Sequence, residues 1–172
     1  SGIIRSVYML IMIPVFAFGA TANTLTSRLI GAGKQNEVIP TILKTIGQGM
    51  LAILPILLCC LFFPSFILSV YTNDTTLAAE SVSSLFVVCC AAITMSIGMP
   101  MFEGVSGTGN TTKALLLEFV VLAAYTFSVW FFASYINARV EWVWSSEFIY
   151  GVFIGLVSYL YLKFAHWQKK KI

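Results

Sequence analysis

Carboxylates that lie inside apolar runs are the first candidates for chemistry in this chain. Glu118 lies about one turn inside the apolar run 114–136, and Glu103 directly follows the run that ends at Phe102. A carboxylate in an apolar medium is costly unless it is paired, hydrated or protonated, so such residues often bind protons or cations. Glu118 is therefore a candidate proton- or cation-binding residue, although its carboxyl could instead reach the polar edge or Lys113. We expect Glu103 to be solvated.

The histidine and cysteine positions give little indication of a catalytic site or a metal site. The single histidine, His166, lies near the end of the chain, far in sequence from any nucleophile candidate. One histidine cannot form a His-based metal cluster. The cysteines occur as two pairs of sequence neighbours, Cys59-Cys60 and Cys89-Cys90, and they lack the spacing of a zinc site. We interpret these cysteines as small apolar fillers, and we expect neither enzyme activity nor a metal site.

The glycine-rich segment 104–111 differs from a nucleotide-binding loop at the decisive position. It reads G-x-x-x-x-G-N-T, so Asn110 occupies the position of the phosphate-binding lysine, and an apolar run precedes it instead of a strand. Glycines supply conformational freedom at the end of a helix. We therefore expect a helix-end turn that contains Gly107, Gly109 and Asn110, and no bound nucleotide.

The composition indicates the medium that surrounds these residues. Of 172 residues, 59% are hydrophobic and 10% are charged, and the mean hydropathy is +0.91. A soluble domain carries charge on about a quarter of its residues, so this chain predicts a fold with an apolar exterior, in contact with a lipid bilayer. The net charge of +3 does not indicate a nucleic-acid partner, because the basic residues form no stripe with interleaved aromatics.

The apolar runs have the length of membrane-spanning helices. A bilayer core of about 30 Å needs about 20 helical residues, and these runs are too long and too uniformly apolar for the strands of a β-barrel. The predicted fold class is all-α, a polytopic integral membrane bundle of about five transmembrane helices that forms one domain over residues 1–172. The predicted spans are 6–30, 42–63, 81–102, 114–136 and 148–167.

Basic residues predict the orientation of the bundle, because they are retained on the cytoplasmic side of a membrane. The predicted cytoplasmic group is Arg28, Lys34, Lys44, Lys113, Lys163, Lys169, Lys170 and Lys171. The opposite group contains only Arg5 and Arg139. This asymmetry predicts a cytoplasmic C-terminus and an N-terminus outside. Glu141 and Glu147 then fall on the outer side, where we expect them to be solvated.

The second half of the first span carries a stripe of small and hydroxyl side chains. They recur at spacings of three and four, which places them on one face of a helix. The members are Ala17, Ala20, Thr21, Thr24 and Ser27, with Asn23 beside them. Such a stripe suits close helix packing and also the lining of a polar cavity, and both interpretations stay open.

Proline and glycine predict distortions and one close contact within the spans. We expect kinks near Pro14, Pro55 and Pro100, because proline removes a backbone hydrogen bond. The G-x-x-x-G motif at 151–155 predicts a close crossing of the last span with another helix.

Three segments match recurrent motifs of one family, in order along the chain. Residues 23–34, NTLTSRLIGAGK, resemble t-L-v-(s/g)-(q/r)-x-x-G-A-G-(k/n), and residues 66–74, FILSVYTND, resemble i-l-x-l-(f/y)-T-x-D. Residues 105–111, VSGTGNT, are similar to l-r-G-x-G-(d/n)-T. On these segments the chain resembles the multidrug and toxic compound extrusion (MATE) family of transporters.

The resemblance implies a plan of twelve helices in two six-helix lobes. The five predicted spans are then similar to helices eight to twelve, so the chain is expected to be a C-terminal-half fragment whose N-terminal lobe is missing. Helix eight of that plan begins outside, which agrees with the orientation that the basic residues predict.

The implied function is an antiporter that exports drugs and other xenobiotics, amphipathic and often cationic, across the plasma membrane, in bacteria the inner membrane. Na⁺ or H⁺ would be the coupling ion, and no other cofactor is expected. Family members use acidic residues on helices seven and ten, but residues 85–99 of this chain contain none. Glu118 is therefore the cation-coupling candidate. The cavity-lining candidates are Thr21, Asn23, Thr24 and Ser96.

Two other functions remain open. The first is a flippase for lipid-linked saccharides with a similar fold, although its cavity should be more cationic and these spans contain no central arginine or lysine. The second is a non-transporting membrane subunit that packs through Gly151 and Gly155.

The predicted orientation can be tested by labelling in intact cells. A membrane-impermeant reagent applied from outside is expected to label the segment at Asn73 and Asp74 but not the lysines at 169–171, because an odd number of spans separates the two. Labelling of both segments from the same side would contradict the number of spans and the family resemblance.

Overall fold

Five long helices and one short helix make up the part of the chain that the structure, a computed structural model, describes. These residues are 2–135, 140–165 and 167, without the side chains of Thr75, Val140 and Glu141. The helices are α1 (Gly2–Gly31), α2 (Val38–Phe62), α3 (Pro64–Ser69), α4 (Thr75–Gly107), α5 (Thr111–Trp130) and α6 (Val140–Phe164). A 3₁₀ turn, Gln35–Glu37, precedes α2, and a π-helical turn, Phe131–Tyr135, follows α5.

All helices except α3 are long and apolar enough to cross a membrane. No strand occurs in the described residues. The predicted fold class, an all-α polytopic bundle, is confirmed. Of the residues named above, His166, Arg139 and the lysines at 169–171 lie outside the described residues, as does the side chain of Glu141.

The helices do not end where the predicted spans end. α4 begins at Thr75 instead of residue 81 and continues to Gly107 instead of residue 102, and α6 begins at Val140 instead of residue 148. The predicted limits stopped at charged residues, since a charge is costly in lipid. α4 continues past Glu103 and α6 includes Glu147, because side chains of neighbouring helices donate hydrogen bonds to these two carboxylates.

The N-terminus of α4 is capped by Asp74. Its Oδ1 accepts hydrogen bonds from the backbone amides of Thr76 at 2.9 Å and Leu77 at 3.2 Å. These two amides have no partner within the helix, and an aspartate at this position satisfies them. The amides of Leu77 and Thr76 stabilise the carboxylate and hold the pKa of Asp74 below its ordinary value of 3.8.

Two glycine turns lie at one end of the bundle, which we call the glycine-turn end. It comprises residues 31–34, where α1 ends, and 107–110, between α4 and α5. Gly33 has φ 73° and Gly109 has φ 76°, in the left-handed region that favours glycine. After α1 the amide of Lys34 donates to the carbonyl of Leu29 at 2.8 Å, which closes the helix in a Schellman turn. The opposite end contains α3, and we call it the α3 end.

α4 is the central helix, and α1, α2 and α6 pack around it. The closest approach is between α4 and α6. A Cβ atom on Gly98 would lie 2.6 Å from the carbonyl oxygen of Gly151, and one on Gly155 would lie 3.2 Å from the Cα of Gly98. The close crossing predicted from the G-x-x-x-G motif is therefore confirmed, and its partner is Gly98.

The buried apolar side chains form two clusters, one toward each end of the bundle. The cluster toward the α3 end joins α1, α2, α3 and α4, and it includes Ile11, Ile53 and Leu85. The cluster toward the glycine-turn end joins α2, α4, α5 and α6, and it includes Ile42 and Leu162. Each cluster excludes water from the helix contacts around α4.

α5 lies at the periphery. Only Ala114 and Val121 of α5 are buried, whereas large apolar side chains such as Leu115, Phe119 and Phe127 are exposed. In water such a surface would be unfavourable, but next to lipid tails it is not. The exposed apolar face of α5 is therefore consistent with a membrane-embedded bundle.

The cysteine doublets each divide between the interior and the surface. Cys60 of α2 and Cys89 of α4 are buried in the cluster toward the α3 end, whereas Cys59 and Cys90 are exposed. Neighbouring residues of a helix point in different directions, so only one thiol of each doublet fills space in the core.

The α4–α6 crossing can be tested with a matched pair of alanine substitutions. Gly98→Ala is expected to lower the unfolding temperature of the detergent-solubilised protein, since the added Cβ meets backbone and overpacking costs about 1–3 kcal/mol. Gly47→Ala in α2 meets no atom within 4 Å, so it should be neutral, or stabilising by up to about 1 kcal/mol. Equal unfolding temperatures for the two variants would contradict the crossing.

Candidate functional site

A cleft lies between α1 and α6, toward the α3 end of the bundle. Its volume is about 1080 Å³. Most of its lining is apolar, with methionine side chains from α1 and α4. The aromatic lining residues are Tyr8, Phe16, Tyr71, Trp144 and Tyr150, and the charged ones are Arg5, Glu118 and Glu147. An apolar cleft with a few converging polar groups is the usual form of a small-molecule site.

Glu147 connects three helices at this cleft. Its Oε2 accepts a hydrogen bond from Tyr8 Oη of α1 at 2.9 Å, and its Oε1 accepts one from Tyr125 Oη of α5 at 2.8 Å. The ring of Tyr8 also packs edge-on against Trp144, with centroids 5.7 Å apart. Glu147 lies within α6 and is half-buried, and two phenols supply the hydrogen bonds that water would give to an exposed carboxylate.

Glu118 lies deeper in the bundle than its sequence position indicated. Since α5 begins at Thr111, Glu118 lies two turns inside the helix, about 10 Å from its start, and not one turn. Its Oε1 accepts a hydrogen bond from Tyr150 Oη of α6 at 2.9 Å. The carboxyl therefore points toward α6 and the cleft, and the alternative of a contact with Lys113 is not observed among the described ion pairs.

The two carboxylates belong to one cluster. The rings of Tyr125 and Tyr150 pack edge-to-face with centroids 5.6 Å apart, so Glu147 and Glu118 are joined through the two tyrosines that donate to them. Within the described residues neither carboxylate forms an ion pair with lysine or arginine. A proton, a small cation or the positive charge of a ligand could therefore compensate them.

The hydroxyl stripe of α1 does not line this cleft. Thr21 Oγ1 and Thr24 Oγ1 donate to the carbonyls of Ala17 and Ala20 in the same helix, at 2.9 and 3.0 Å. The whole stripe, including Ser27, is exposed at the surface of the bundle. Of the two interpretations left open, packing is observed at the end of the stripe, where Ser27 Oγ donates to the carbonyl of Gly107 in α4. A cavity-lining role stays a prediction.

Asn23 and Ser96, the other cavity-lining candidates, also lie away from the cleft. Asn23 Nδ2 donates to Glu103 Oε2 of α4 at 2.8 Å. Ser96 is buried between α4 and α2, where its Oγ donates to the carbonyl of Ile93 at 2.7 Å and lies 2.8 Å from the sulfur of Met50. The structure thus brings none of the four candidates together with Glu118.

Glu103 is half-buried instead of fully solvated. Because α4 continues to Gly107, Glu103 lies within the helix, and Asn23 satisfies one of its oxygens. Gly19 of α1 leaves room for this contact, since a Cβ there would lie 3.3 Å from Glu103 Cγ. This pair is a polar contact between α1 and α4 that is separate from the cleft.

The turn that contains Gly107, Gly109 and Asn110 joins four helices. A Cβ atom on Gly107 would lie 2.7 Å from the carbonyl oxygen of Asn23, so α1 and α4 approach closely here. Ser27 Oγ of α1 donates to the carbonyl of Gly107 at 3.0 Å, and Asn110 Nδ2 donates to Tyr161 Oη of α6 at 3.1 Å. These contacts account for the glycines and the asparagine by packing and hydrogen bonding.

Sequence reasoning missed Glu147 and the three tyrosines that bind the carboxylates. One signal was available, since Glu147 and Tyr150 are three residues apart and so share a face of α6. Tyrosines near the end of a span are common at the membrane interface, so their residue type alone does not indicate that they donate hydrogen bonds to a carboxylate.

The fold and the site define a class, a polytopic helical membrane protein with an aromatic, acidic cleft. The family model MatE matches residues 1–130 of the 172. The chain therefore belongs to the MatE family of transporters, as the motif resemblance indicated. No curated protein and no solved structure matches the chain.

Proposed function

We propose that this chain is the C-terminal lobe of a cation-coupled antiporter that exports amphipathic, often cationic, drugs. The observation that carries the proposal is the cleft between α1 and α6, in which Glu118 and Glu147 lie among aromatic and methionine side chains. Aromatic rings and carboxylates attract organic cations, and methionine adapts to ligands of different shape. The family membership supplies the transporter class.

Glu118 is the proposed coupling residue. It lies two turns inside α5 and accepts a hydrogen bond from a neutral phenol, and no cationic side chain of the described residues pairs with it. Binding of H⁺ or Na⁺ stabilises a carboxylate in this environment, and the positive charge of a drug stabilises it in the same way. Cation and drug would therefore compete for the same negative charge.

Competition of this kind couples two fluxes. If the cation binds better to one arrangement of the two lobes and the drug to the other, each shifts the same conformational equilibrium in the opposite direction. The partner in this motion would be the N-terminal lobe of the longer protein.

We also propose that the bundle lies in the plasma membrane with its glycine-turn end in the cytoplasm. Arg28, Lys34, Lys44 and Lys113 lie in or near the two glycine turns, whereas Arg5 lies toward the α3 end. Basic residues are retained on the cytoplasmic side, so this distribution supports a cytoplasmic C-terminus.

A flippase for lipid-linked saccharides is the alternative from the same superfamily. Its cavity would have to bind a pyrophosphate and would need several cationic donors. Among the described residues that line the cleft, one is an arginine, Arg5, and two are carboxylates, which favours a cationic ligand over an anionic one. A non-transporting membrane subunit is the second alternative, and a transport measurement distinguishes it.

The antiporter proposal predicts the effect of Glu118→Gln on export. Membrane vesicles that contain the full-length protein should export a fluorescent organic cation at a rate that depends on the H⁺ or Na⁺ gradient. Glu118→Gln should remove this dependence and reduce gradient-driven export by about 5- to 150-fold, the usual range of a coupling energy. The matched control is Glu80→Gln, which removes an exposed carboxylate of α4 outside the cleft.

Export that responds to the gradient equally in Glu118→Gln and in Glu80→Gln would remove Glu118 from the coupling site. No export of organic cations by the unmodified protein, together with movement of a lipid-linked saccharide, would establish the flippase instead. No movement of either compound would leave the non-transporting subunit.

A further inference from the structure

Arg5 is the one cationic side chain among the described residues that line the cleft. It lies near the start of α1, at the α3 end of the bundle, and it is exposed. Tyr8 follows three residues later on the same side of the helix, and its hydroxyl donates to Glu147 Oε2 at 2.9 Å. Arg5 therefore lies about one turn closer to the α3 end than the contact between Tyr8 and Glu147.

Arg5 and the two carboxylates of the cleft do not pair with one another. Within the part of the chain that the structure describes, Arg5 forms no ion pair, and neither does Glu118 or Glu147. Phenols donate to both oxygens of Glu147 and to one oxygen of Glu118. The cleft therefore contains charges of both signs that a ligand, and not the protein itself, could compensate.

The opposite charges lie at different depths in the cleft. α1 and α6 both run from the α3 end toward the glycine-turn end, so residue numbers increase with depth on both helices. Arg5 is three residues before Tyr8, which contacts Glu147, and Tyr150, which contacts Glu118, is three residues after Glu147. Two helical steps of three residues place Arg5 about 9 Å from the level of Glu118 along the bundle.

The surroundings of Arg5 suit an anionic group of a ligand. An arginine near the end of a span can serve as an anchor in the headgroup region of the membrane. Arg5, however, lines a cleft together with the aromatic side chains of Tyr8, Tyr71 and Trp144. A guanidinium is planar and always charged, and its donors match the two oxygens of a carboxylate.

We propose that Arg5 binds a carboxylate of the substrate, so that the cleft selects zwitterions, which are organic cations that also carry a carboxylate. The carboxylate of the ligand lies at Arg5, and its ammonium group lies deeper, at Glu118. The cleft volume of about 1080 Å³ is sufficient for a drug-sized ligand with this separation of charges. The inference rests on the proposed function, because it names which cations the same cleft prefers.

The size of the preference follows from the exposure of Arg5. A simple cation is attracted by the carboxylates of the cleft but repelled by Arg5, whereas a zwitterion compensates both signs. Salt weakens an attraction between exposed charges. We therefore expect an effect near the lower limit for a hydrogen bond between charged groups, which is about tenfold in affinity.

Two matched probes test the preference. One is a fluorescent aromatic amine that carries a carboxylate, and the other is its methyl ester, which keeps the amine but loses the negative charge. Equilibrium binding of each probe to the purified full-length protein in detergent is measured at neutral pH and constant salt. The unmodified protein should bind the acid about tenfold more tightly than the ester. Comparing the ratio of the two dissociation constants between variants cancels differences in how the probes partition into detergent.

Three arginine substitutions identify the residue responsible. Arg5→Gln removes the charge, so it should weaken binding of the acid about tenfold without weakening that of the ester. Arg5→Lys keeps the charge but not the planar donors, so its ratio should lie between the other two. The matched control is Arg28→Gln, which removes an exposed arginine in the last turn of α1, outside the cleft. It should keep the ratio of the unmodified protein.

The zwitterion preference is wrong if Arg5→Gln keeps the ratio of the unmodified protein, or if it weakens binding of the acid and the ester equally. Tighter binding of the ester than of the acid by the unmodified protein would also contradict it, and Arg5 would then be a membrane anchor only. If Arg5→Gln does not fold, the two probes on the unmodified protein and on Arg5→Lys decide.

Glu118→Gln separates this inference from the proposed function. Both probes carry the amine, so this variant should weaken both by the same factor and keep their ratio. If Glu118→Gln affects neither probe while Arg5→Gln abolishes the preference for the acid, the proposed coupling site is wrong and the role of Arg5 stands. If Glu118→Gln weakens both probes while Arg5→Gln leaves their ratio unchanged, only the role of Arg5 is removed.

Discussion

A carboxylate inside an apolar helix bundle has to receive hydrogen bonds from the protein, because lipid supplies none. In this chain the constraint applies to Glu103, Glu118 and Glu147. Each of these carboxylates accepts its hydrogen bonds from helices other than its own. The donors are one asparagine and three tyrosines, all uncharged. The contacts therefore join α1 to α4, α1 to α6 and α5 to α6, and within the part of the chain that the structure describes no lysine or arginine forms an ion pair with these carboxylates.

The positions of these donors depend on how closely the helices approach α4. Gly98 and Gly151 bring α4 and α6 into backbone contact, next to Tyr150 and about one turn from Glu147. α1 lies on another side of α4, so the cleft forms between α1 and α6 instead of being filled by a direct contact between them. The glycines at the crossing and the tyrosines at the cleft thus belong to one arrangement, in which α1 and α6 both pack on α4 and border the cleft on its two sides.

Much of the fold could be predicted from the sequence, whereas most of the site could not. An apolar run is recognised from many residues together, so a misjudged single residue does not change the prediction of a helix. The five helices and the α4–α6 crossing motif were therefore predictable. Side-chain pairing depends on the rotation of each helix about its axis, and a helix that is apolar on all sides carries no signal for that rotation. Glu118 was therefore found, but its partner Tyr150 was not, and the cavity-lining role of Thr21 and Thr24 stays a prediction, because both lie on an exposed face of α1.

The central claim is that the uncompensated charge of Glu118 and Glu147 is what cation and substrate share. The most direct test is equilibrium binding of an organic cation to the purified full-length protein, measured over a range of pH and Na⁺ concentration. The unmodified protein is compared with a double variant that carries Glu118→Gln and Glu147→Gln. We expect the affinity of the unmodified protein to fall as H⁺ or Na⁺ rises, and the affinity of the double variant to be lower and independent of both. A double variant that binds as tightly as the unmodified protein, with the same dependence on H⁺ or Na⁺, would contradict the claim.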